Sequence, residues 1–85
     1  MTIRQRRVLE VLAAHADDDL YGLDLVTAGV ASRGSIYVEL ARLEDLGWIT
    51  SREEPLETAV FVQRRIYRIT PAGAALLLPA AKVVQ

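Results

Sequence analysis

Apolar residues recur at helical spacing in the first half of this 85-residue chain and at strand spacing after it. Val8, Val11 and Leu12 fall at i, i+3 and i+4, with Ile3 ahead of them and Arg4, Arg7 and Glu10 distributed around. That spacing predicts a helix from about Thr2 to Ala16 with one apolar face. Asp17, Asp18 and Asp19 then end the pattern, because aspartate bonds its own backbone and favours turns and caps. One of them is expected to cap a short second helix that carries Tyr21, Leu25 and Val26 towards the core, with Gly29 at its end. A third helix opens at Ser32, where Ser35 offers a second hydroxyl to the first-turn amides. Its apolar stripe is Ile36, Leu40 and Leu43, with Leu46 close by, and Gly47 closes it.

Directly after Gly47, the residues Trp48, Ile49 and Thr50 change to strand type. Pro55 interrupts, and a second strand is expected through Arg65, Ile66, Tyr67, Arg68 and Ile69. Thr70 and Pro71 announce a last helix, as a capping hydroxyl followed by proline at the first helical position. Between the strands, Thr58 to Val62 either extend the second strand or let Phe61 tuck a long wing back onto the body, and both readings stay open. The order predicts an α+β, mainly α, winged helix-turn-helix with a three-helix core, a two-stranded wing and a short C-terminal helix. A chain of this length has room for one domain, expected over residues 1–85.

Composition narrows the function. Hydrophobic residues make up 52% of the chain and cysteine is absent, so thiolate metal sites, disulfides and thiol nucleophiles are excluded. The longest apolar run, Ala74 to Ala81, falls far short of the ~20 residues that span a bilayer, and the N-terminal apolar residues are spaced rather than continuous. A soluble, cytoplasmic protein with no membrane partner is expected. His15 is the single histidine, no nucleophile elbow or glycine-rich phosphate loop is present, and neither an enzyme nor a cofactor or metal is expected.

The net charge of −1 argues mildly against nucleic acid, yet its distribution matters more than its sum. Nine of the ten cationic residues are arginine, grouped at Arg4, Arg6 and Arg7 and at Arg64, Arg65 and Arg68. Acids gather elsewhere, at Asp17 to Asp19, at Glu44 and Asp45, and at Glu53, Glu54 and Glu57. Such segregation fits a phosphate-binding face or an ordinary solvated surface.

The run Tyr21-Gly22, then Ser32-Arg33-Gly34-Ser35-Ile36-Tyr37, Leu40, Arg42-Leu43-Glu44, Leu46-Gly47 and Ile49 resembles the PadR family of transcriptional regulators. The resemblance resumes after the wing with Arg65, Tyr67-Arg68-Ile69-Thr70 and Gly73. It implies a sequence-specific regulator that binds double-stranded DNA as a homodimer, and it implies that the Tyr37 hydroxyl contacts phosphate. Members usually add a long C-terminal helical region for dimerisation, so this chain resembles a minimal form of the family.

The residues support the same role. Opposite the apolar stripe, the third helix carries Gly34, Ser35, Val38, Ala41, Arg42 and Asp45, mostly small or apolar groups that can enter the ~12 Å major groove. Arg33 stands beside Ser32 at the end such helices present to base edges, where it can contact guanine, while Ser35 can meet a base or a phosphate. Tyr37 alternatively reads as a half-buried core ring, and Arg42 as the partner of Glu39 or Asp45. The wing supplies Arg52, Arg64 and Arg65, and its glutamates argue against deep minor-groove insertion. From Ala72 to Ala81 the chain is apolar all round, which leaves Leu76, Leu77 or Leu78 for a homodimer contact, limited in length by Pro79. The competing function is a winged-helix protein-interaction module that no longer binds DNA. No residue pattern identifies a small-molecule effector.

Overall fold

The computed structural model describes residues 1–54 and 65–78. Thr2 starts α1 (Ile3–Ala14) through a reciprocal cap: its hydroxyl accepts from the Gln5 amide, and the Gln5 side chain accepts from the Thr2 amide. This satisfies two of the amides that every helix start leaves without partners. Val8, Leu9 and Leu12 form the buried face, so the stripe runs through Leu9, with Val11 at its margin and Ile3 left 82% exposed in the first turn.

A two-residue strand, β1 (Leu20–Tyr21), leads into α2 (Gly22–Thr27). The aspartate that caps α2 is Asp24, whose carboxylate accepts from the Tyr21 amide at 2.7 Å, and none of Asp17 to Asp19 does so. Gly29 follows the helix at φ +80°. Ser32 precedes α3 (Arg33–Asp45), but its hydroxyl meets the Ser35 hydroxyl at 3.1 Å instead of a first-turn amide. Gly47, also at φ +80°, stops α3 in a conformation that residues with a Cβ resist.

Two longer strands, β2 (Ile49–Glu53) and β3 (Arg65–Ile69), form the wing hairpin. Antiparallel pairing in the order β1-β3-β2 makes a three-stranded sheet, one strand more than expected. Ile49 lies opposite Ile69 and Arg52 opposite Ile66. Thr70 then caps α4 (Pro71–Ala75), accepting from the Gly73 amide, with Pro71 at the first position. α4 is shorter than the apolar run foretold: residues 76–78 close as tight turns, which direct Leu77 inward.

The core joins Val8, Leu9 and Leu12 of α1, Leu25 of α2, Ile36, Leu40 and Leu43 of α3, and Ile49 and Tyr67 of the sheet. Burying each such side chain contributes about 1.5–3 kcal/mol, so α3 is held by the part of the molecule that supplies most of the folding energy. The expected wing conformation at 56–63 lies outside the described residues.

Candidate nucleic-acid interface

Because α3 buries Ile36, Leu40 and Leu43, its opposite face is turned out. That face presents Gly34, Val38, Ala41, Arg42 and Asp45, with Arg33 at its N-terminal end; Ser35 sits half-buried beside it. Val38 is 62% exposed, which is unusual for a valine in mid-helix and leaves an apolar point on the face. Neither Arg33 nor Arg42 makes an ion pair or side-chain hydrogen bond among the described residues. The expected partner of Arg42, Glu39, instead accepts from the buried Gln5 amide side chain at 3.1 Å. That bond ties α3 to α1 and leaves Arg42 in solvent.

Tyr37 combines both readings left open by the sequence. Its ring lies over Gly22, where a Cβ would come within 2.6 Å of Cε1, yet the residue is 49% exposed. Gly22 is thus the floor on which the ring rests, and the packing sets α2 against α3 while leaving the ring partly in solvent.

The wing is arranged differently. On the sheet face turned towards α3, Arg65 donates to the Ser51 hydroxyl at 3.0 Å and lies 3.8 Å from Glu53, while Ser51 donates to Glu44 at 2.8 Å. Arg52 is on the other face with Thr50, Ile66 and Arg68, as the strand register requires. There Asp19 accepts from Arg68 at 2.8 Å and from Arg52 at 3.5 Å. The hydrogen bond from Arg68, together with the charge of both arginines, holds the Asp19 carboxyl below the usual aspartate range. Burial pushes the Tyr67 hydroxyl above the usual phenol range, so this core ring stays neutral. Arg64 lies outside the described residues.

Just past the end of β2, the Tyr21 hydroxyl donates to the buried Glu54 carboxylate at 3.0 Å, joining the hairpin to the start of α2. The sequence reading missed Tyr21, Glu54 and Asp19 as organisers, since each acts on a residue far away in the chain. Near α4, Leu77 packs against the core, whereas Leu76 and Leu78 are exposed. His15 pairs with Asp18 at 3.1 Å on the surface. Among the described residues no cluster suits a metal ion, and no helix is long and apolar enough to cross a membrane.

Residues 8–78 match the model of the transcriptional regulator PadR-like family. The chain belongs to this family. Its fold is that of solved winged-helix regulators. Bacillus subtilis PadR, solved in complex with operator DNA, matches at a TM-score of 0.75 and 24% identity, over 100% of this chain and 49% of that one. A MepR variant from a multidrug-resistant Staphylococcus aureus isolate matches at 0.77 and 23% identity, over 91% and 52%. A PadR family regulator from hypervirulent Clostridium difficile matches at 0.69 and 22% identity, over 89% and 80%. The chain therefore spans about half the length of PadR and MepR. Among curated protein sequences none matches it.

Proposed function

We propose that this PadR-like protein is a sequence-specific regulator that reads double-stranded DNA with α3 in the major groove. The observation that carries the reading is the outward face of α3: Arg33 and Arg42, without an ion pair among the described residues, bracket Gly34, Val38 and Ala41, with the Tyr37 ring at the edge of this face and Asp45 beyond Arg42 at its C-terminal end. Arg33 is placed to meet a guanine edge, Ser32, Gly34 and Ser35 to let the helix start approach closely, and Val38 to touch a thymine methyl. The positive end of the helix dipole draws this end of α3 towards phosphates. Tyr37 offers its hydroxyl to the backbone beside the groove, and Arg52, Arg64 and Arg65 follow the flanking phosphates from the wing. That Bacillus subtilis PadR, of the same fold, was solved in complex with operator DNA supports DNA as the partner here.

A homodimer completes the reading. Leu76 and Leu78 are exposed at the end of α4, which packs beside α1, while Leu77 holds α4 to its own core. Pairing two copies through this surface would set two α3 helices about 34 Å apart, one DNA turn. Selection from random duplexes at moderate salt tests the whole reading: enrichment of a two-fold-symmetric site is expected, and recovery of unenriched DNA overturns it. The neutralised wing favours one competing reading, a module that binds another protein, and that reading gains if no duplex is retained at low salt.

A further inference from the structure

We propose that Arg52 and Arg68 form an oxyanion site for phosphate, and that the carboxylate of Asp19 occupies its seat in the protein alone. The site goes beyond the α3 interface and rests on the DNA-binding reading only for the source of its phosphate.

Four observations converge on it. The register places Thr50 opposite Arg68 and Arg52 opposite Ile66, so the two arginines stand diagonally on one sheet face, within reach of each other's long side chains. Together with Thr50 and Ile66 they line a small cavity on that face. Asp19 reaches in from the loop before β1 and uses a single oxygen, Oδ1, for both guanidinium groups. One carboxylate oxygen thus serves two guanidiniums. It also leaves Arg68 incompletely engaged: its Nη1 reaches only the Ala16 carbonyl at 3.5 Å, and its buried Nε–H makes no hydrogen bond among the described residues. A phosphate presents several acceptor oxygens and meets an arginine edge through two parallel bonds, which Asp19 does not do.

Exchange is also physically cheap. The side chains of Asp19, Arg52 and Arg68 are 47%, 55% and 42% exposed, so these ion pairs are screened by water and add little to stability. A phosphate can take the seat without any opening of the core. Asp19 then acts as an internal competitor that weakens phosphate binding on this face of the wing and, with it, binding to any phosphate chain regardless of sequence.

The test follows the Arg52 and Arg68 Nε–H resonances by NMR while inorganic phosphate, and separately a duplex, is added to the full chain and to Asp19→Asn. Phosphate is expected to shift both resonances saturably and to bind the variant about fivefold more tightly, as removal of a unit charge ~4 Å away in water requires. With duplex, the slope of log K against log salt should steepen by about 0.9 for each guanidinium freed. Arg52→Ala added to Asp19→Asn should abolish most of the gain, and Asp19→Ser should reproduce it, which guards against a folding artefact of one variant. The site is overturned if phosphate shifts Arg52 and Arg68 no more in the variants than in the parent, or no more than it shifts exposed Arg4 and Arg7. Phosphate binding with an unchanged duplex slope supports the site and assigns it to a free anion. Phosphate binding in a protein that retains no duplex supports the site and overturns the DNA reading.

Discussion

The arginines of α3 and those of the wing have the same chemistry and opposite surroundings. Arg33 and Arg42 project from a helix whose far side is locked into the core by Ile36, Leu40 and Leu43, and no acid reaches them among the described residues. Arg52, Arg65 and Arg68 project from strands and each has a carboxylate within 2.8–3.8 Å. The difference teaches that cationic residues and cationic surface are separate quantities. A tally of arginines makes the wing the more basic region, whereas among the described residues the wing arginines are paired and those of α3 are not. On the proposed DNA-binding reading, that division assigns readout to the helix and modest attachment to the wing.

The comparison breaks first if α3 is not the rigid member. Leu40→Ala should destabilise the fold by about 2–5 kcal/mol, since a fully buried leucine leaves a cavity among tightly packed neighbours. Urea unfolding checks it, and a loss comparable to that of an exposed substitution would mean α3 is only loosely held. Next in size, Arg33→Ala should lower specific DNA affinity by about 1–3 kcal/mol and relax preference at one base position, with stability unchanged. An equal loss on every duplex would move Arg33 from base to phosphate.

On the wing side, Arg65→Ala should change stability by no more than about 0.5 kcal/mol and reduce the salt slope by less than the ~0.9 of a full phosphate contact, because Glu53 already neutralises part of its charge. A full-sized drop would show that the pairing with Glu53 is given up on DNA. The smallest effect concerns Asp19. Its folded-state carboxyl lies below the unfolded value, so its contribution to stability is complete above about pH 4 and disappears as pH falls through the lower, folded-state value. Asp19→Asn should therefore flatten the acid limb of a thermal-stability profile and leave the neutral region almost unaltered. An identical acid limb in the variant would mean that the arginines do not hold the carboxylate in solution.

Boundaries written in local chemistry were legible in the sequence. Ser32 and Gly47 delimit α3 through their backbone conformations, and Thr70-Pro71 opens α4 through a hydroxyl that accepts from the Gly73 amide, each acting within a turn of itself. The stripe Ile36, Leu40 and Leu43 was legible for a related reason, since a fixed spacing leads to a fixed face. β1 was not, because a strand of two residues has no period to detect, and it exists only where β3 offers a partner. The same holds for the masking of the wing. Asp19 and Arg68 are 49 positions apart and Asp19 and Arg52 are 33 apart, and nothing in the local pattern of either segment foretells that they meet. Leu9 rather than Ile3 completes the α1 face because Ile3 falls in the first turn, ahead of the region where α1 is covered.

Gly73 gives the fold a mechanical property. A Cβ there would overlap the Trp48 carbonyl oxygen, so its absence lets the start of α4 sit directly on the junction between α3 and β2. Thr70 fastens that junction twice, with its amide on Trp48 at 3.0 Å and its hydroxyl on Gly47 at 2.7 Å, and the Trp48 amide is bonded in turn to Leu43 inside α3. α4 and the last turn of α3 are thus linked like a crank to its shaft. On the proposed reading, a partner that grips α4 bears directly on the C-terminal end of the recognition helix.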